Sequence, residues 1–69
     1  MPEIIFVVQE DPECGFRARA LGFPIFTQGR DMPELKEMVR DAVHLYFPEE
    51  EARPKVIRLH TVLEEVIAA

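Results

Sequence analysis

Several features are scarce in this chain, and each scarcity excludes a class of protein. A single cysteine, Cys14, rules out an internal disulfide. The sequence has no glycine-rich or serine-rich tract, no repeat and no low-complexity run, which is typical of a globular domain. No apolar run approaches the roughly 20 residues that span a bilayer. No basic start precedes an apolar stretch of signal-peptide length, so we predict a cytoplasmic protein without a membrane partner.

Positively charged residues are also scarce. Eight Lys and Arg residues stand against 13 Asp and Glu residues, which gives a formal net charge of −5. The resulting field repels phosphate backbones and attracts basic proteins. The composition therefore disfavours direct nucleic-acid binding and favours a basic protein as the partner.

The longest periodic segment of the chain predicts an amphipathic helix over residues 31–46 or 32–47. Asp31 can cap this helix by accepting the amide of Glu34, and Glu34 can reach back in a capping box. Pro48 ends it, because a proline disfavours helical geometry in the residue before it. The apolar residues recur with helical spacing and predict a single buried stripe: Leu35, Met38, Val39, Ala42, Val43, Leu45, Tyr46 and Phe47.

Four other segments, 3–10, 16–21, 25–28 and 55–60, have the β-branched and aromatic composition of strands. A turn sequence joins the first two, and we expect Gly29 to turn the chain into the helix in a conformation that other residues avoid. Residues 61–69 stay open between strand and helix, with extended structure favoured for 62–68. The order predicts one α+β domain over residues 1–69, an antiparallel β-β-β-α-β sheet with the helix packed on one face.

The first strand is apolar on both sides, since five consecutive apolar residues from Ile4 to Val8 alternate between its faces. One helix covers one face of such a sheet. We therefore expect the apolar side chains on the other face to be buried against another chain. Alternation in the second strand places two arginines together on its polar side. We therefore predict a homodimer or larger homo-oligomer with four residues in its interface: Ile5, Val7, Arg17 and Arg19.

The residues that could carry chemistry are few and dispersed. A two-metal nuclease needs carboxylates at the centre of the first strand, where this chain has only apolar residues. His44 and His60 lack a recognisable nucleophile or substrate partner, and Cys14 stands in an acidic turn that does not favour a reactive thiolate. We predict no enzyme, no metal and no cofactor, with a surface position for His44 and a half-buried one for His60.

Two charged clusters are candidates for binding. The acidic run Glu49, Glu50 and Glu51 follows the helix. It is either a solvated connector or a docking strip for a basic protein, and we predict partner binding there. Arg17, Arg19 and Arg58 form a basic stripe that could pair with acidic groups of another subunit or hold RNA. The RNA option is the weaker one, because the stripe lacks interleaved exposed aromatic residues.

The segment from Gly15 to Leu35 resembles the HicB antitoxin family, the partners of small HicA messenger-RNA-cleaving toxins. In that family a glycine and an aromatic residue close the first hairpin, and a short proline-containing bend follows. A T-x-G turn then precedes a capped, acidic first turn of the helix. The matching residues here are Gly15-Phe16, Leu21-Gly22-Phe23-Pro24, Thr27-Gln28-Gly29, Asp31 and Glu34.

This resemblance implies a partial ribonuclease-H-like β-β-β-α-β domain, commonly oligomeric, that blocks a toxin by covering its active surface. Relatives that regulate transcription carry an added DNA-binding module, which we do not expect after Phe47. The predicted function is a non-catalytic, oligomeric, antitoxin-like interaction domain that binds a small basic partner such as a HicA-type toxin. The alternatives are a stand-alone enzyme or small-ligand module at a homo-oligomer interface, and a protein that adds its strand edge or tail to a partner's sheet.

Overall fold

The computed structural model describes residues 2–62 and 65–69, which form four strands and one helix. The elements are β1 (Glu3–Asp11), β2 (Gly15–Ala20), β3 (Phe26–Gly29), α1 (Met32–Tyr46) and β4 (Val56–Val62). The strands make a single sheet in the order β3-β2-β1-β4, and the helix packs on one face of it. The predicted α+β class and the β-β-β-α-β order are confirmed.

The sheet is mixed, because its last strand runs in the same direction as the first. β1 pairs antiparallel with β2, and β2 with β3, as predicted. β4 lies on the other side of β1 and runs parallel to it, not antiparallel as predicted, with Ile57 beside Ile4 and Leu59 beside Phe6. The helix causes this arrangement, since it returns the chain to the end of the sheet where β1 began. Parallel neighbours require a crossover connection of this kind.

One face of the sheet and one stripe of the helix form the core. Alternate residues of β1 and β2 are buried, as the sequence predicts, and three helix residues four positions apart meet them. Three residues predicted for the same stripe are exposed instead: Leu45 at 82%, Tyr46 at 46% and Met38 at 43%. The prediction for Leu45 was wrong because Leu45 lies about 200° around the helix axis from the buried Val43. The buried hydrophobic residues that form the core are Ile4, Phe6, Val8, Ala18, Ala20, Ile25, Leu35, Val39 and Val43.

The start of α1 is capped by Asp31, whose carboxylate accepts the amide of Glu34 at 2.8 Å. Glu34 does not close a capping box with Asp31. It accepts the backbone N–H of Arg30 at 3.1 Å and the Arg30 guanidinium at 3.0 Å, one residue earlier than predicted. At the other end, the N–H of Phe47 donates to the carbonyl of Val43 at 2.8 Å, immediately before Pro48.

Gly29 was predicted to adopt a backbone conformation that other residues avoid, and that prediction was wrong. Positive φ angles occur at Gly15 and Gly22. Gly29 is required instead by a close approach, because a Cβ there would stand 2.6 Å from the backbone nitrogen of Leu35. The glycine therefore lets the end of β3 touch the first turn of the helix.

The end of the chain is extended only in part. β4 continues to Val62, two residues beyond the prediction, and residues 65–69 form neither helix nor strand and are exposed. The prediction of extended structure for 62–68 includes Leu63 and Glu64, which lie outside the described residues. Within the described part of the chain, no helix is long and apolar enough to cross a membrane.

Candidate functional site

The sheet face that α1 leaves uncovered is the largest candidate surface, and we call it the open face. Strand register and alternation place on it all four residues predicted for the oligomer interface. Ile5 and Val7 are half-buried, and Phe26 of β3 is 74% exposed. The side chains that define the open face are Glu3, Ile5, Val7, Gln9, Arg17, Arg19, Phe26, Gln28, Val56, Arg58, His60 and Val62.

A shallow depression of about 390 Å³ lies at the centre of the open face. Arg19 pairs with Val7 of β1 on one side and with Phe26 of β3 on the other, so a guanidinium stands between two apolar side chains. Arg17 and Gln28 complete the same depression. Such a surface can pack against apolar groups while its arginine binds a carboxylate.

The arginines of the open face differ in how they are paired. Arg17 Nε lies 2.7 Å from Asp11 Oδ2, and Arg58 Nη2 lies 3.0 Å from Glu3 Oε2. Arg19 makes no ion pair with any residue in the described part of the chain. Arg19 is therefore the positive group of the open face that is available to another molecule.

Asp11 is held at the end of β1 by contacts that favour its charged form. The backbone N–H of Glu13 donates to it at 2.8 Å and is the main cause of a lowered pKa. Partial desolvation opposes this shift, while the N–H of Cys14 and the Arg17 guanidinium reinforce it. The Asp11 carboxylate thus stabilises the β1–β2 turn through these two amides and also pairs with Arg17.

The predicted partner-binding residues Glu49, Glu50 and Glu51 lie together in an exposed turn between α1 and β4. The carbonyl of Glu49 accepts the N–H groups of Ala52 and Arg53, each at 3.1 Å. The Arg53 guanidinium donates to the carbonyls of Phe47 and Pro48, which pins the turn to the end of the helix. The acidic turn is therefore an ordered feature with exposed carboxylates.

A groove between α1 and β4 was missed at the sequence level, and we call it the α1–β4 groove. It joins two cavities of about 430 Å³ and 320 Å³ that share Arg40 and Ile57. Four of the chain's eight Lys and Arg residues line it: Lys36, Arg40, Arg53 and Lys55. Only the (i, i+4) spacing of Lys36 and Arg40 on one helix side was visible in the sequence.

The histidines and the cysteine do not converge. His44 is exposed on the helix, as predicted. His60 is also exposed, and its predicted half-buried position was wrong because alternation in β4 turns it to the open face, away from Leu59. Cys14 is half-buried, with its Sγ 3.9 Å from the carbonyl oxygen of Phe16. Among residues 2–62 and 65–69, no three His, Cys, Asp or Glu residues gather as metal ligands.

The Arg30–Glu34 contact predicts an acid-dependent stability. The Arg30 guanidinium and then its backbone N–H lower the pKa of Glu34 from its ordinary value of 4.5. A lowered folded-state pKa stabilises the fold fully above the unfolded-state pKa, and this contribution is lost as the pH falls through the folded-state value. We expect Glu34→Gln to lower the free energy of unfolding near neutral pH and to have little effect at about pH 2.

Urea unfolding followed by circular dichroism at the two pH values measures this difference. Glu37→Gln is the matched control, because Glu37 is an exposed residue of the same helix whose side chain makes no hydrogen bond to the described residues. An equal effect of Glu34→Gln at both pH values would contradict the assignment.

Comparison with known proteins identifies relatives of this chain. A UPF0150 protein of Archaeoglobus fulgidus is 55% identical to it over 53 residues, which are 77% of each chain. This chain belongs to the UPF0150 family. A second UPF0150 protein, from Thermotoga maritima, is 36% identical over 66 residues, covering 96% of this chain and 91% of the relative. No family model and no solved structure matches the sequence.

The names of these UPF0150 relatives specify no activity, ligand or partner. The resemblance to HicB antitoxins therefore stays a prediction, as do the oligomer and the basic partner. The Thermotoga relative aligns along almost the whole chain, from the sheet to the tail.

Proposed function

We propose that this UPF0150 protein is a non-catalytic interaction domain that self-associates through its open face and binds a small basic protein of the HicA toxin type. The observation that carries the proposal is the open face itself. Its apolar side chains Ile5, Val7 and Phe26 lie on the side of the sheet that α1 leaves uncovered. Apolar side chains on a sheet face that no other element covers favour an interaction site.

A second copy is the occupant that fits the open face. Three arginines are met there by two carboxylates, Glu3 and Asp11, so two open faces can approach without strong repulsion. Two sheets that pack face to face lie about 10 Å apart with interleaved side chains. A chain of about this size buries only about 60% of its unfolded surface, so a second copy adds burial that one copy lacks.

The basic partner is supported by charge. The chain has a net charge of −5, and Glu49, Glu50 and Glu51 project from an ordered, exposed turn. Opposite potentials steer two proteins together and fix their orientation. The resemblance to HicB antitoxins supplies the class of partner, a small basic toxin of the HicA type.

Self-association has a direct test. We expect the natural chain to scatter light as a dimer or larger assembly at micromolar concentration. Val7→Glu and Arg19→Glu should each shift it towards the monomer, because the first buries a carboxylate in the interface and the second reverses a charge. Leu45→Glu is the matched control, since it adds the same side chain on the exposed side of α1.

Circular dichroism checks that each of these variants is folded. The exposed Arg19 position keeps the test informative if Val7→Glu destabilises the sheet. A monomeric natural chain would overturn the self-association, as would two folded variants that remain oligomeric.

Binding of the basic partner is tested by co-expression with a small basic protein encoded beside this chain. We expect co-purification, and the triple change Glu49→Lys, Glu50→Lys and Glu51→Lys should weaken binding at least about tenfold, or 1.4 kcal/mol. The control is a second triple change with the same charge difference, made at Glu10, Glu13 and Glu37. Recovery of the self-oligomer alone, or equal losses in both triple variants, would contradict the assignment of the turn.

A further inference from the structure

The α1–β4 groove exists because of where the helix sits on the sheet. The helix packs closely against β3 and β2, whereas β4 forms the opposite edge of the sheet. Ile57 and Leu59 of β4 therefore stay half-buried and, with Val39, form an apolar floor. A cavity of this size, about 320 Å³ at that floor, is at the small end of the range that holds ligands.

The rim of the α1–β4 groove is basic although the chain is acidic. Lys36 and Arg40 overhang the apolar floor, and neither forms an ion pair within residues 2–62 and 65–69. Lys55 extends the positive rim towards the acidic turn, where Glu50 is the one carboxylate among the described lining residues. An apolar floor under cationic groups suits a short segment in which aliphatic side chains adjoin carboxylates.

The tail of this chain is such a segment. Its sequence over residues 63–69 is Leu-Glu-Glu-Val-Ile-Ala-Ala. In the described part of the chain, Val66 and Ile67 are the most exposed large apolar residues, at 87% and 88%. The radius of gyration is 13.3 Å, against about 11 Å for a compact chain of this length. The longest dimension is 51 Å against 20 Å and 18 Å, which agrees with a tail that projects from the body.

A chain's own tail lies at the wrong end of the sheet to enter its own groove. Ile57 in the groove pairs with Ile4 near the start of β1, whereas Val66 lies beside Asp11 and Pro12 at the end of β1. Asp11 comes seven positions after Ile4 in β1, which corresponds to about 23 Å at 3.3 Å per residue. A second copy can supply the tail without any reversal of the chain.

We propose that the α1–β4 groove of one chain binds residues 65–69 of a second copy. Val66 and Ile67 rest on the floor formed by Ile57 and Leu59, and Glu65 faces the rim. This contact is separate from the open face and from the binding of a basic partner, so it does not depend on the antitoxin-like function.

Disulfide trapping between two single-cysteine chains tests the contact. Both chains carry Cys14→Ser, one carries Ile57→Cys in the groove, and the other carries Ile67→Cys in the tail. Because each chain has one cysteine, a mixed disulfide joins two copies, and it forms only where the two Cβ atoms come within about 4.5 Å. We expect several-fold more mixed dimer from this pair than from the pair in which Leu45→Cys replaces Ile57→Cys.

Leu45 is the matched control because it is 82% exposed on α1 and lines neither the α1–β4 groove nor the open face. Leu59→Cys provides a second groove position if Ile57→Cys disturbs the fold, which circular dichroism would reveal. Arg40→Glu in the groove chain should lower the yield of mixed dimer, and Glu65→Arg in the tail chain should restore it.

Two results would overturn the proposal. One is an equal yield from Leu45→Cys and from both groove positions. The other is an internal disulfide when Ile57→Cys and Ile67→Cys are placed in the same chain at high dilution, which would make the chain's own tail the occupant. Arg19→Glu, which disrupts the open face, should leave the mixed disulfide in place, so the two contacts can fail separately.

Discussion

Replacing Phe6 with alanine is expected to lower the free energy of unfolding by about 3–5 kcal/mol. Phe6 is fully buried in β1, where it stands between Ala20 of β2 and Leu59 of β4. Removing a buried phenylalanine side chain costs about 3–5 kcal/mol, because the cavity left behind closes only in part. A 69-residue chain has a total stability of about 3.5–10 kcal/mol. The substitution therefore removes a third or more of that stability.

Phe26→Ala is the matched control, since the same side chain is removed from a position that is 74% exposed in the single chain. Its effect on the free energy of unfolding of the monomer should stay within about 0.5 kcal/mol. Urea unfolding at two protein concentrations separates the two cases. If the open face associates, the effect of Phe26→Ala grows with concentration, whereas that of Phe6→Ala is large at both. If Phe6→Ala and Phe26→Ala lowered the free energy of unfolding equally at high dilution, the assignment of Phe6 to the core would be contradicted.

Gly15→Ala has the second largest expected effect. Gly15 has a φ of 96°, in the left-handed region where a residue with a Cβ loses about 1–2 kcal/mol. A Cβ at this position would also collide with the carbonyl oxygen of Arg30 and lie 2.8 Å from that of Gly29. Both are backbone atoms at the β3–α1 junction, so relief requires the junction to move. We expect a loss of more than about 2 kcal/mol.

Gly22→Ala separates the two causes of this loss. Gly22 has a similar φ of 85°, but nothing lies within 4 Å of the position that its Cβ would occupy. It should therefore show only the conformational penalty, about 1–2 kcal/mol. Urea unfolding monitored by circular dichroism measures both variants. If Gly15→Ala and Gly22→Ala lowered the free energy of unfolding equally, the close contact between Gly15 and the β3–α1 junction would not contribute to the loss.

Gly15 and Gly29 differ in whether the neighbouring sequence indicates why a glycine is needed. The turn at Gly15 is marked in the sequence by the adjoining Asp11-Pro12 pair, and the positive φ there is of the kind that such turns use. Gly29 is different, because the atom that excludes a side chain belongs to Leu35 in the following helix. A requirement set by another element of the fold leaves no local pattern.

Part of the candidate site could be predicted from residue alternation. Ile5, Val7, Arg17 and Arg19 share the open face because neighbouring side chains of a strand point to opposite sides. Their partners could not be predicted, since pairing depends on register. Arg17 is neutralised by Asp11 and Arg58 by Glu3, which leaves Arg19 as the unpaired arginine of the described open face.

The amino-acid sequence alone determined where the strands and the helix lie, which strand residues alternate between faces, and that Asp31 begins the helix. These features follow from covalent geometry and from hydrogen bonds between residues a few positions apart. The tertiary structure alone decided that β4 lies parallel to β1, that Arg17 and Arg58 are paired with described residues while Arg19 is not, and that a basic groove forms between α1 and β4. Each of these depends on which distant segments become neighbours, and burial and charge at a residue are set by those neighbours.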